Sequence, residues 1–304
     1  MNRGALERSR DTARAGSLVS ARDLHACAIW GVINVTPDSF SDGGLHATVA
    51  EAIAHGARLL AEGADVIDVG GESTRPAGAA YGSGFGAVGA DEERARVVPV
   101  ISALVRGHGA TVSVDTTKAS VAEAAIAAGA SYVNDVSMGA SDALLSVVAS
   151  SDARLVLMHT RGRGEITAAN TAYEDVVEEV RRDLLGAADR AAAAGVAPTR
   201  IWLDPGIGFA KTAGQSLTLL GRLERLVDTG YPVLVGASRK SLIAHAAPRP
   251  DGSAPPPLER LGGTAATVVA SALAGAAAVR VHDVAPMRQA MLVALAIAER
   301  SARR

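Results

Sequence analysis

Short apolar runs rich in β-branched residues alternate along this chain with longer Ala-rich segments. The runs are AIWGVINV (28–35), DVIDVG (65–70), TVSVDT (111–116), YVNDV (132–136), RLVLMHT (154–160), IWLDPG (201–206), PVLVGAS (232–238) and AAVRVHDV (277–284). Near-continuous apolar character is what a strand covered on both faces requires. Between the runs lie segments such as TVAEAIAHGARLLAEG and KASVAEAAIAAG, with apolar residues at helical spacing and a Gly near the end. Strand–helix alternation implies parallel pairing, and eight repeats predict an α/β fold of the closed (β/α)8 TIM barrel type. A doubly wound sheet would need a reversal of strand order and would usually carry a Gly-rich fingerprint after its first strand, which this chain lacks.

Polar residues interrupt the pattern at one end of each run. Asn34, Asp68, Asp115, Asn134 with Asp135, His159, Asp204, Ser238, and Arg280 with His282 all fall near the C-terminal ends of their strands. In a parallel barrel those ends converge on one mouth, where enzymes of this architecture do their chemistry. A single Asp there reads equally well as a helix N-cap. Eight coinciding cases do not, although Asp68 and Asp135 are candidates for purely structural members of the set.

Composition changes this picture little. The 304 residues are 48% hydrophobic and 20% charged, ample for a large core, but only 3% aromatic, so Ala, Val, Leu and Ile must fill it. A net charge of −2 provides no general field for nucleic acid or an anionic membrane, so an anionic ligand must be held by local cations. The single Cys27 excludes an intrachain disulfide and fits a small buried residue at the start of the first strand. Residues 1–26 scatter Arg without an apolar core, which predicts a flexible N-terminal extension ahead of one domain over 27–304. The stretch AATVVASALAGAAAV (265–279) is too short and too polar to span a bilayer, so a cytoplasmic protein is expected.

Candidate chemistry follows from the strand ends. GGESTRPAG (70–78) places Arg75, a planar donor fork suited to phosphate or carboxylate, beside two hydroxyls. GASRKS (236–241) clusters Arg239 and Lys240 at a helix start after the seventh strand, where barrels commonly hold phosphate. Arg280 and His282, two apart, share one side of the last strand, and an inward Arg needs an anion or a π surface opposite it. Asp115, Asn134 and Asp204 can together read the donor–acceptor edge of a flat heterocycle bearing an amino group beside a ring N–H. One half of the mouth thus suits a polar ring and the other a phosphate. His159 and His282 do not make a metallohydrolase, since the first strand ends in INVTPD without the paired His that such barrels use. A divalent cation shared with phosphate oxygens fits better, with Asn34 as an oxygen ligand.

Taken together, GVINVTPDSFSDGG, GGESTRP, SVDTTK, NDVS, LMH, LDPGIGFAK, GASRKS and VRVHDV, in this order over 28–284, resemble the dihydropteroate synthase family, folate-pathway enzymes targeted by sulfonamides. The resemblance implies a transferase that joins the methylene of 6-hydroxymethyl-7,8-dihydropterin pyrophosphate to the amine of p-aminobenzoate, releasing pyrophosphate by a Mg²⁺-assisted dissociative displacement. By position it implies that Asp115, Asn134, Met158, Asp204, Lys240 and Arg280 line a pterin pocket. It implies further that Asn34, Thr74, Arg75, Arg280 and His282 surround the pyrophosphate, with Asn34 the Mg²⁺ ligand. Pro76, Phe209, Lys240 and Ser241 match the p-aminobenzoate site, which Asp38 and Phe40 help to complete from another loop. Asp115, Lys240, Arg280, Asp38 and Arg75 are the implied catalytic set, and small-molecule substrates and a second copy in a homodimer the implied partners. The alternatives are a methyltetrahydrofolate methyltransferase-like barrel and a non-catalytic pterin-binding paralogue. The first would not require TRP and SRKS; the second predicts loss of Asn34, Arg75, Lys240 or Arg280, and all are present. Two segments depart from the family pattern: the Gly-rich AGAAYGSGFGAVGADEE after Pro76, and the Pro-rich connection over 244–263.

Overall fold

A computed structural model describes residues 27–35, 49–72, 88–162 and 166–301. The expectations for the extension over 1–26 and for Asp38, Phe40, Thr74, Arg75 and Pro76 lie outside these described residues.

Eight parallel strands carry the molecule: β1 (Ala28–Asn34), β2 (Val66–Gly70), β3 (Val112–Asp115), β4 (Tyr132–Asp135), β5 (Arg154–Met158), β6 (Ile201–Asp204), β7 (Leu234–Val235) and β8 (Ala278–Val281). Their spatial order, β6-β5-β4-β3-β2-β1-β8-β7, follows the chain around a ring, with no reversal of the kind a doubly wound sheet needs. The ring closes between β6 and β7, where the Leu203 amide donates to the Pro232 carbonyl at 3.0 Å and Leu203 bridges Val233. The barrel expected from the sequence is therefore present. Its seventh strand is much shorter than the run 232–238 suggested. Pro232 has no amide to donate, and the chain turns at Arg239, whose φ is +59°.

Ten helices surround the strands among the described residues: α1 (Val49–Ala61), α2 (Ala90–His108), α3 (Ala119–Ala127), α4 (Asp142–Ala149), α5 (Val176–Ala193), α6 (Ala213–Gly221), α7 (Glu224–Val227), α8 (Ser241–Ala246), α9 (Leu261–Leu273) and α10 (Val284–Ser301). Local sequence sets their ends. Asp175 caps α5 by accepting from the Val177 and Glu178 amides, and Thr212 with Gln215 forms a capping box on α6. Gly109 ends α2 in the left-handed conformation. Among the described residues no helix is long and apolar enough to cross a membrane.

Two apolar cores result. The larger lies between strands and helices and includes Cys27, buried as expected. The smaller lies inside the barrel, where Trp30, Val66, Tyr132, Val156, Leu234 and Ala278 meet, with Trp202 against them. Trp30 and Tyr132 stack edge to face at 4.8 Å, and Tyr132 and Trp202 at 5.6 Å, in the geometry aromatic quadrupoles favour. Three of the chain's few aromatic side chains thus plug the N-terminal end of the barrel.

Candidate active site

Two residues further along the same strands, the barrel interior becomes polar. Side chains alternate along a strand, so the residues after Val66, Tyr132, Trp202 and Ala278 on the inward face are Asp68, Asn134, Asp204 and Arg280. Asp115, at the end of β3, stands beside Asn134 in register, and Met158, at the end of β5, beside Asp204. The parity of the strands brings these groups into one buried layer at the mouth.

Arg280 organises that layer. Its Nε donates to Asp68 Oδ2 at 2.5 Å and its Nη2 to Asp115 Oδ2 at 3.0 Å. Burial opposes the guanidinium charge, but the two carboxylates hold its pKa above the ordinary value. The Asn134 amide donates to Asp68 Oδ2 at 3.3 Å. The remaining oxygens of all three neighbours, Asp68 Oδ1, Asp115 Oδ1 and Asn134 Oδ1, are buried without a hydrogen-bond partner. Each such acceptor costs about 1–3 kcal/mol when left unpaired, so the fold bears this cost at three adjacent atoms. Burial pushes Asp115 up to about 7, with Arg280 pulling it down and Asp68, Glu93 and Asp135 pushing it further up.

Lys240 closes the layer from the other side. It sits at the N-cap of α8 with its Nζ bonded to the Ile207 carbonyl at 2.5 Å and 4.7 Å from the centre of the Phe209 ring. Burial lowers its pKa to about 8, while Asp204 works in the opposite direction. Asp204 is itself raised by burial, against the pull of Lys240 and the Gly206 amide, which donates to its Oδ1 at 2.7 Å. The turn that aims Lys240 is held by Arg239, whose guanidinium grips Asp283 through Nε (2.9 Å) and Nη2 (2.7 Å). Below it, Arg260 donates to the Arg239 carbonyl at 2.8 Å and to the Pro255 carbonyl at 2.9 Å. The Pro-rich connection therefore ends in a buried cation that braces this turn. Ser241 follows as the first residue of α8.

Around the rim, His282 Nδ1 lies 3.0 Å from the Ser238 hydroxyl. Asn34 ends β1 half buried, in register with Gly70 of β2. Lys118 pairs with Glu72 and Glu93, fixing the root of the chain that leads to Arg75. Asp38, Thr74, Arg75 and Pro76 themselves lie outside the described residues.

Three placements differ from the sequence reading. Asp68, set aside as a structural candidate, is at the centre of the layer, while Asp135 is structural, accepting from the Ser137 and Gly139 amides. His159, grouped with the mouth residues, follows inward-facing Met158 and so points outward, fully buried between Asp183 of α5 and Lys211. Lys211 escaped notice although LDPGIGFAK contains it; its partners are largely backbone carbonyls, which no side-chain pattern reveals.

A family model for "pterin binding enzyme" matches residues 30–282. This chain belongs to that family. It is 47% identical over 262 residues to the dihydropteroate synthase of Mycobacterium leprae, covering 84% of this chain and 87% of that one. Among solved structures, Xanthomonas albilineans dihydropteroate synthase with 4-aminobenzoic acid aligns with a TM-score of 0.80 at 43% identity, covering 90% of this chain and 94% of its own. The same enzyme in complex with 7,8-dihydropteroate aligns with a TM-score of 0.78 at 41% identity over the same shares. The family's model begins within β1 and ends just past β8, so it spans the whole barrel that builds the polar layer.

Proposed function

We propose that this chain is a cytoplasmic dihydropteroate synthase, joining 6-hydroxymethyl-7,8-dihydropterin pyrophosphate to p-aminobenzoate to form 7,8-dihydropteroate and pyrophosphate. The observation that carries the reading is the set of unpaired acceptors on Asp68, Asp115 and Asn134 in a layer of three carboxylates and two cations. A pterin ring offers the complementary edge, an amino group beside ring N–H donors, and would relieve atoms the fold leaves unpaired. Asp115, Asn134, Met158, Asp204, Lys240 and Arg280 hold that ring in this reading. The pyrophosphate extends over the rim to Asn34, Thr74, Arg75, Arg280 and His282, and p-aminobenzoate lies by Pro76, Phe209, Lys240 and Ser241.

The C–O bond of the pterin methylene breaks with its electron pair leaving on pyrophosphate; the amine nitrogen then forms the C–N bond and gives up one proton to water or the leaving group. Negative charge in the layer, to which Asp115 contributes as pH rises through its pKa of about 7, favours the cationic pterin of a dissociative path. An arylamine attacking such a cation needs no strong base, which accords with the absence of a nucleophile–base pair among the described inward side chains. Asp38 and Arg75, in the sequence segments that follow β1 and β2, complete the catalytic set in this reading by excluding water and neutralising the leaving group.

Mg²⁺ is assigned to Asn34. Among the described residues no three His, Cys, Asp or Glu converge on a metal site. A single neutral oxygen at Asn34 suits a cation that takes its other ligands from phosphate and water, as Mg²⁺ does. When bound, it would supply neutralisation of the pyrophosphate charge.

We also assign a homodimer to the face formed by α9 and α10, where Leu261, Val293 and Ile297 are exposed around a groove lined by Pro286 and Ala290. The experiment that tests the activity measures pyrophosphate release with both substrates and Mg²⁺, supplied together and one at a time. Release only with all three is expected; none, or release independent of p-aminobenzoate, overturns the reading.

A further inference from the structure

The loop between β6 and α6, residues 205–211, carries Ile207 and Phe209 to Lys240, and a second lysine holds the loop from beneath. Lys211 is 0% exposed, and its Nζ bonds the Gly206 carbonyl at 3.1 Å, the Phe209 carbonyl at 2.9 Å and His159 Nδ1 at 2.9 Å. Three donors of an ammonium thus meet three acceptors. The His159 tautomer follows: Nδ1 accepts, so the ring proton is on Nε2, 3.4 Å from Asp183 Oδ2. Burial, with Lys211 and Arg161 nearby, pushes His159 down to about 2, which keeps it a neutral acceptor. Burial also lowers Lys211, to about 7, while Asp204 favours its charge.

The loop has almost no slack. Gly206 is at φ +64°, and a Cβ there would lie 1.9 Å from the His159 carbonyl oxygen, so only glycine allows the loop to press against the end of β5. The Gly208 amide donates to the Ser216 hydroxyl at 3.2 Å, and the Tyr173 hydroxyl to the Ala210 carbonyl at 3.1 Å. The Gly206 and Phe209 carbonyls face Lys211, whereas the Ile207 carbonyl faces Lys240. Removing the lower ammonium would leave the Gly206 and Phe209 carbonyls and one imidazole nitrogen without this donor, and the loop would shift to find new ones.

We propose that Lys211 is a positioning residue for the arylamine half of the reaction: it ties the 205–211 loop to His159 and thereby sets Phe209 and the Ile207 carbonyl against Lys240. It touches neither substrate, and the inference rests on the reading that Phe209 and Lys240 border p-aminobenzoate.

The test compares the wild-type enzyme with Lys211→Met, varying each substrate separately and following amide hydrogen exchange of the ligand-free proteins. The KM for p-aminobenzoate should rise about tenfold or more, with the KM for the pterin pyrophosphate within about threefold. Exchange should accelerate in 206–211 and stay unchanged in β5. A merely structural lysine would lower the active fraction and leave both KM values alone, and that outcome, or equal shifts in both, overturns the proposal. Should Lys211→Met fail to fold, His159→Phe removes one acceptor while keeping a ring; a smaller p-aminobenzoate shift of about threefold supports the proposal, and none refutes it. Wild-type enzyme without turnover would instead refute the functional reading, and the exchange comparison would then decide the role of Lys211 alone.

Discussion

The lower and upper layers inside the barrel come from the same strands, two residues apart, yet they are built to opposite ends. Below, Trp30, Tyr132 and Trp202 pack with Val66, Val156, Leu234 and Ala278 into an apolar plug. Above, Asp68, Asp115, Asn134 and Asp204 are buried around a half-buried Arg280, and three of their oxygens have no partner. The plug stabilises the fold through apolar burial. The polar layer costs stability and is retained because a ligand can satisfy it. Three adjacent acceptors without a partner above, against the lone Trp30 Nε1 donor below, separate a site from a core.

The sharpest way to break this contrast is to neutralise the upper layer at one atom. Asp115→Asn should lower kcat/KM by about a thousandfold or more, since one buried charge facing the developing cation is lost. Steady-state pyrophosphate release checks it, and near-normal turnover would refute a role for Asp115. The complementary change is below: Trp202→Ala should cost about 3–5 kcal/mol of stability and on the order of 10 °C in Tm. Its KM values, measured at a temperature where it remains folded, should match wild type. A variant that kept its Tm and lost substrate binding would dissolve the division between layers.

A smaller effect is expected at the rim. Asn34→Ala should raise the half-saturating Mg²⁺ concentration by about tenfold, a loss of about 1.4 kcal/mol, read from Mg²⁺ titrations of the rate. An unchanged titration would remove Asn34 as the ligand. The smallest effect concerns pH. Burial raises the folded pKa of Asp115 to about 7 from the ordinary 3.8, so between those values the folded state holds a proton that the unfolded state has released. Stability from this group is therefore lost as pH rises from about 4 through 7. Relative to wild type, Asp115→Asn should gain a few degrees of Tm, about 2–4 °C for each kcal/mol relieved, and the gain should be larger at pH 7 than at pH 4. Differential scanning fluorimetry across that window checks it; a gain that shrinks with pH would reverse the sign.

Much of this architecture is legible in the sequence because parallel strands buried on both faces must be apolar until they end, and polar residues mark the ends. That logic locates Asp115, Asn134, Asp204 and Arg280 together. It misjudges residues where parity matters more than position. Asp68 and His159 both stand near strand ends, but Asp68 is an even number of residues from Val66 and faces inward, whereas His159 is one past Met158 and faces out. Arg239, grouped with Lys240 as a phosphate-holding cation, instead grips Asp283, and Lys211 and Arg260 were beyond reach for a related reason. Their partners include backbone carbonyls supplied by loop conformation, and that conformation depends on left-handed residues such as Gly206 and Arg239 itself.

A crystal structure with dihydropterin pyrophosphate bound would test the central claim most directly. The account predicts the amino group and ring N–H donors of the pterin within hydrogen-bonding distance of Asp115 Oδ1 and Asn134 Oδ1, with Lys240 beside the ring and the pyrophosphate toward Asn34. A pterin bound elsewhere, with those oxygens still unpaired, would contradict it.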